Sequence, residues 1–276
     1  MTGPIVSTEW LTRHINHSVL RLADVRWYLG EPERGREAYA EMHLPGAFYV
    51  DLETDLSAAE GPGRHPLPSW EDFADRMGEL GIGDDSVVVA YDDRGGAIAA
   101  RLWWMLRAIG HDRSYVLDGG LTAWMKEGKP VTSEFSPKVP VKLSIDLQPD
   151  ISLDRDEMRD RPPSTVALDA RVGQRYRGES EPLDPVAGHI PGAVNAPYED
   201  NLGPDQRFLP ADALAEKYRA LGVGEGADTV VYCGSGVTAC HDLLAIEHAG
   251  LGRAKLYPGS WSDWSTAGYA VAIGVE

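Results

Sequence analysis

The chain has 276 residues, 43% of them hydrophobic, and a formal net charge of −17 with a pI near 4.8. That length suits one large domain or two ordinary ones. The acidity argues against nucleic acid or an anionic membrane as partner and favours solubility. Met1–Val6 shows no basic stretch followed by an apolar core, so no secretory signal is expected. No uncharged run approaches the roughly 20 residues that a membrane helix needs.

In chain order, Leu22-Ala23-Asp24-Val25-Arg26 comes first, then a His43-Leu44-Pro45-Gly46-Ala47 turn. Ser69 is placed as the N-cap of a helix from Trp70 to Leu80. Val87-Val88-Val89-Ala90 reads as a buried strand, because β-branched residues suit a pleat covered on both faces. Ala97 to Ile109 carries helical periodicity, and Asp118-Gly119-Gly120 precedes Trp124. The stretch from Ser133 to Gln148 is rich in Pro, Lys and Ser and lacks helical period. It reads as a linker, with Val139 to Leu147 as a candidate edge strand. The order then repeats: Leu168-Asp169-Ala170-Arg171, His189-Ile190-Pro191-Gly192-Ala193, a helix from Ala211 to Leu221, a strand Thr229-Val230-Val231-Tyr232, a helix from Ala239 to His248, and Pro258-Gly259-Ser260-Trp261. A unit of roughly 130 residues written twice is a tandem duplication of a normal-sized domain. Strands alternating with helices make each copy an α/β domain with a mostly parallel sheet flanked by helices. The boundaries read as 1–132, a linker over 133–150, and 151–276.

The chain holds two cysteines, Cys233 and Cys240, whose spacing fits no CxxC metal or redox pair. A disulfide framework is not expected, and this points to the cytoplasm; neither a metal nor a cofactor is expected. Cys240 reads as a small apolar residue on the helix. Cys233 opens Cys233-Gly234-Ser235-Gly236-Val237-Thr238, between a strand end and a helix N-terminus. There the partial positive charge of the helix and unpaired N–H groups favour a thiolate. The glycines let successive N–H groups curl inward around an anion. Ligands in such sheets sit at strand C-termini, where Cys233 lies.

Taken together, the two His-(Leu/Ile)-Pro-Gly-Ala motifs, Asp24-Val25-Arg26-Trp27-Tyr28, Trp103-Trp104, Asp118-Gly119-Gly120 and the Cys233 loop resemble the two-domain sulfurtransferases of the rhodanese superfamily, over essentially the whole chain. The resemblance implies tandem rhodanese-like domains and transfer of a sulfane sulfur through a Cys233 persulfide. The Cys-Gly-Ser-Gly-Val-Thr loop is similar to that of 3-mercaptopyruvate sulfurtransferases. Thiosulfate-preferring members carry Arg-Lys where this chain has Gly234-Ser235, and two cations beside the nucleophile suit a compact dianion.

By the same resemblance the catalytic set is Cys233, Ser235, His65 and Glu53. Glu53 stands where the family has an aspartate, with Asp51 as a substitute nearby. Arg175 and Arg177 are expected to bind substrate, with Gly234, Gly236, Val237 and Thr238 forming the loop cradle. A second family arginine falls on Asp184, a charge reversal: either Arg177, Arg171 or Arg101 compensates, or the donor differs. The implied partners are a small-molecule sulfur donor and an acceptor that is a thiol, cyanide or a thioredoxin-like protein.

Asp92 stands at the Cys233 position of the first copy and cannot carry sulfur, so that copy is expected to be silent. His43 and His189 are one motif residue present in both copies and are read as structural, and the Trp103-Trp104 and Trp261/Trp264 pairs as core or domain-interface aromatics. Three other functions compete. A Cys-x5-Arg phosphatase needs an arginine where Ala239 stands. A non-enzymatic rhodanese-like module would lack the nucleophile. Thiosulfate:cyanide transfer is the alternative within the enzyme class.

Overall fold

The computed structural model describes residues 3–224 and 228–275. It divides into two compact units. Met1–Ala58, Pro68–Gln148 and Pro204–Phe208 form the first; Ala59–Leu67, Pro149–Gly203 and Leu209–Glu276 form the second. A short loop from the first half of the sequence thus belongs to the second unit, which no local pattern announces.

The first unit is built on strands β1 (Ile5–Val6), β2 (Leu20–Asp24), β3 (Ala47–Tyr49), β4 (Val87–Tyr91) and β5 (Ser114–Leu117). All pairings are parallel, in the order β1-β5-β4-β2-β3. The second carries β6 (Val166–Asp169), β7 (Ala193–Asn195), β8 (Thr229–Tyr232) and β9 (Lys255–Leu256), parallel in the order β7-β6-β8-β9. Parallel neighbours require crossovers, which the helices supply. The strands β4 and β8 lie inside their sheets, and every residue of β8 is buried. That burial is why both strands are short apolar runs rather than alternating ones.

The expected helices form as Trp70–Glu79, Ala99–Ala108, Ala211–Ala220 and Ala239–His248. Ser69 caps the first, its Oγ accepting the Asp72 N–H at 3.0 Å.

Side-chain bonds repeat as the motifs do. Arg26 Nη2 donates to Asp24 at 2.7 Å, and Arg171 Nη2 to Asp169 at 2.5 Å. His43 stacks on Tyr39 and bonds its carbonyl at 2.7 Å, while His189 stacks on Tyr176 and bonds its carbonyl at 2.8 Å. Both histidines are fully buried. They pin the chain where it enters β3 and β7. Trp261 and Trp264 pack with Tyr232 and Met158 in the second core, and Trp103 and Trp104 are buried in the first unit.

The edge strand expected over Val139–Leu147 does not form. The segment packs within the first unit, and its backbone serves helix ends: Val141 N–H donates to Gly78, Asp146 N–H to Ile109 and Gln148 N–H to Ala108. Such terminal carbonyls have no partner inside their own helices. Among the described residues no helix is long and apolar enough to cross a membrane.

Candidate active site

The loop Cys233–Thr238 leaves the C-terminal end of β8 and enters the helix Ala239–His248. Cys233 is 1% exposed. Its N–H donates to Ser260 Oγ at 3.1 Å, and its carbonyl accepts from Trp261 N–H at 2.9 Å. The Gly234 carbonyl accepts from Ser262 N–H at 2.9 Å. The loop is therefore clamped onto the short helix Ser260–Trp264. Ser260 sits at φ 54°, a region that favours glycine, and is held there by its own bond to the Tyr257 carbonyl. Gly236, at φ 75°, has no substitute: a Cβ there would lie 2.4 Å from the Pro258 carbonyl oxygen. Val237 is buried and Thr238 partly so.

Ser235 and His65 meet. Both are buried, and His65 Nδ1 lies 2.8 Å from Ser235 Oγ. His65 arrives on the loop 59–67, which the second unit holds through Arg64 N–H donating to Ser262 Oγ at 3.0 Å. A hydroxyl bonded to an imidazole, two residues from a thiol, is a route for moving a proton.

Two guanidinium groups converge on Gly234. A Cβ built there would stand 2.8 Å from Arg64 Nη2 and 3.3 Å from Arg175 Nη1. The loop carries no cation of its own, yet the fold brings two to it. Asp184 lies between them, bonded to Arg64 Nη1 and, at 3.1 Å, to Arg175 Nη2. Burial pushes the Asp184 carboxyl above its ordinary pKa, with Arg64 and Arg175 opposing the shift. Glu181 takes the other side of Arg175 at 2.6 Å.

Arg64 is thus the partner of Asp184 on the second side, while Arg177, Arg171 and Arg101 are engaged elsewhere. Arg177 pairs instead with Glu179 at 2.7 Å on the surface. Arg171 is held by Asp169 and Glu181. Arg101 is fully buried in the first unit, with Nη2 3.4 Å from the Leu56 carbonyl. No local sequence pattern marks Arg64, although it adjoins His65, because its partner is 120 positions away.

Glu53 belongs to the first unit, where its Oε1 accepts from Trp27 Nε1 at 3.0 Å. Asp51 pairs with Arg36 at 3.1 Å and accepts the Glu53 N–H. Cys240 is fully buried, its Sγ 3.4 Å from the Gly236 carbonyl, as expected of a packing residue.

Comparison with known proteins agrees with this architecture. The model of the rhodanese-like domain matches residues 7–127 and again 154–267. The chain is 45% identical over 274 residues to a probable 3-mercaptopyruvate sulfurtransferase of Pseudomonas aeruginosa, covering 96% of each chain. It is 43% identical over 250 residues to a putative thiosulfate sulfurtransferase, SseB, of Mycobacterium tuberculosis, covering 89% of this chain and 87% of that one. The crystal structure of the 3-mercaptopyruvate sulfotransferase SseA from Escherichia coli superposes with a TM-score of 0.81 at 31% identity, covering 95% of this chain and 100% of that one. Two parallel α/β units, one with a cysteine loop at its strand end, and two matches to one domain model have a single reading: the chain belongs to the rhodanese-like domain family and carries that domain twice.

Proposed function

We propose that the protein is a sulfurtransferase that takes sulfane sulfur from 3-mercaptopyruvate on Cys233 and passes it to a thiol or cyanide. The observation that carries this reading is the Ser235–His65 hydrogen bond beside the cysteine. The Cys233 thiolate attacks the donor sulfur. The S–S bond forms as the donor's C–S bond breaks, and the electron pair leaves on pyruvate as an enolate. Ser235 hands that enolate a proton and recovers, through His65, the one that the donor thiol gives up, which leaves the outer sulfur as an anion. The curled loop, Gly234 to Thr238, and the helix N-terminus stabilise the terminal persulfide anion. An acceptor thiolate or cyanide then attacks the outer sulfur, and Cys233 departs as thiolate.

The donor's carboxylate is read as docking on Arg175 and Arg64, whose planar forks suit it. The second unit is read as catalytic and the first as silent. A protein thiol of the thioredoxin type is a suitable acceptor in the cytoplasm, the compartment favoured by two cysteines that are both free.

The two guanidinium groups at Gly234 favour a second reading, thiosulfate as donor, because a compact dianion gains most from paired cations. Asp184 and Glu181 already offset that charge, which keeps mercaptopyruvate first. Steady-state rates with both donors and one acceptor decide. A higher kcat/KM for mercaptopyruvate is expected, and the reverse order overturns the donor assignment.

A further inference from the structure

The silent first unit contains a cavity of about 630 Å³, within the range of small-molecule sites. Its wall joins Arg36, Tyr39 and Tyr49 to Arg76, and the extended segment after residue 132 closes it with Phe135 and Lys138. Three cations and one carboxylate, Asp55, thus face one space in a chain whose net charge is −17.

Their partners are unequal. Arg36 is paired with Asp51 at 3.1 Å, and Arg76 with Asp55 at 2.7 Å and Glu79 at 2.9 Å. Lys138 has no carboxylate within ion-pair distance among the described residues. Desolvation, then the like charges of Arg76 and Arg36, lower its pKa from the ordinary value, with Asp55 and Glu79 opposing. An ammonium crowded by two guanidinium groups gains from an arriving anion what an ion pair would supply.

The apolar wall is equally suggestive. The Tyr39 hydroxyl donates to the Ala47 carbonyl at 2.8 Å and the Tyr49 hydroxyl to the Arg26 carbonyl at 3.2 Å. Both phenols are spent inward, so the rings rather than the hydroxyls serve the cavity. Arg36 lies 5.1 Å over the Tyr49 ring, and Phe135 stands 5.7 Å from Tyr39 while 68% exposed. Such an exposed ring beside a hollow offers a stacking face.

We propose that this cavity binds a small planar molecule carrying one carboxylate, sulfonate or phosphate, with the anion on Lys138 and Arg36 and the flat body against Tyr39, Tyr49 and Phe135. The sulfur chemistry on Cys233 neither needs nor assigns such a site.

Anilinonaphthalene sulfonate, a fluorescent planar monoanion, is the probe, and N-phenyl-1-naphthylamine is the same body without charge. Titrated into the full chain, the sulfonate is expected to saturate one site. Lys138→Glu should weaken it about tenfold or more by charge reversal, and Arg36→Ala in the same direction. Arg155→Ala, in the second unit, should leave it unchanged. The neutral amine should bind more weakly and ignore Lys138→Glu. Lys138 is exposed, so its substitution should not disturb folding. Sulfonate binding that is indifferent to Lys138→Glu, or matched by the neutral amine, overturns the proposal.

Discussion

The two strand-end loops, one in each unit, solve one electrostatic problem in opposite ways. In the first unit Asp92 follows β4, and its carboxylate accepts four backbone N–H groups: Arg94 at 2.9 Å, Gly96 at 2.8 Å, Ile98 at 2.8 Å and Ala99 at 2.9 Å. In the second unit Cys233 follows β8 and enters a loop one residue shorter. The anchoring behind the two loops is shared. The Asp92 carbonyl accepts from Leu121 N–H and the Cys233 carbonyl from Trp261 N–H, with Gly120 at φ 55° and Ser260 at φ 54° in the same place. A loop of this kind gathers N–H groups around an anion. The first unit fills that place with the Asp92 side chain, whereas the second has the free thiol of Cys233 at the same strand end.

The sharpest way to break this comparison is to remove the nucleophile. Cys233→Ser is expected to lower sulfur transfer by roughly 10³-fold or more and to abolish the gain of one sulfur atom in the intact mass after donor treatment. Cys240→Ser should keep most of the rate, since its thiol is fully buried and bonds the Gly236 carbonyl. Equal losses in the two variants would end the single-nucleophile account.

The complementary test empties the first loop. Asp92→Ala leaves four inward N–H groups without their acceptor, and each orphaned buried donor is costly. A loss of about 3 kcal/mol in urea unfolding is expected, allowing for water entering the gap. Transfer chemistry on the surviving folded protein should be little changed. An unaltered midpoint would show that the loop does not depend on its anion.

These contrasts also mark what the sequence could disclose. The Cys233 loop, the paired His-Pro-Gly turns and the strand–helix alternation are contiguous patterns, so they are readable one residue after another. Arg64 and Asp184 lie 120 positions apart, and charge sign alone does not reveal a partner brought by folding. The loop 59–67 offered His65 but not its neighbour's role. The stretch Val139 to Leu147 has the alternation of a strand, yet the Val141 and Asp146 N–H groups go to helix-end carbonyls and that of Ser144 to the Asp84 carboxylate. Glu53 stands where the resembled family has an aspartate, and its Oε1 accepts from Trp27 Nε1.

The helices behind the two loops differ as well. At the fourth helical position the first has Leu102 and the second Asp242, fully buried with Asn201 Nδ2 2.7 Å from Oδ1. Burial raises the Asp242 pKa to about 7, with Lys217 opposing. A carboxyl raised in the folded state binds its proton more tightly there than in the unfolded chain, so its charge becomes a penalty as pH rises from about 4 through 7. Asp242→Asn removes the charge and preserves an acceptor for Asn201. The variant should therefore gain about 2 kcal/mol over the parent at pH 8 and much less at pH 5. Parallel stability curves across that range would refute the assignment.

The smallest effect concerns how the second loop receives a charged donor. In this structure Asp184 occupies Arg64 and Arg175, the groups read as holding the donor carboxylate, so donor and Asp184 compete. Asp184→Asn removes the competitor's charge but not its shape. KM for mercaptopyruvate should fall about threefold to tenfold, a binding change of about 1 kcal/mol, with kcat nearly constant because neither the Ser235–His65 pair nor Cys233 is touched. Since burial raises the pKa of Asp184, the parent's KM should drift downward as pH falls toward that value and the carboxyl gains its proton. The asparagine variant has no such proton to gain, and its KM should lack that drift. A rise in KM on substitution would mean instead that Asp184 aims the two arginines, and that their orientation matters more to the donor than their net charge.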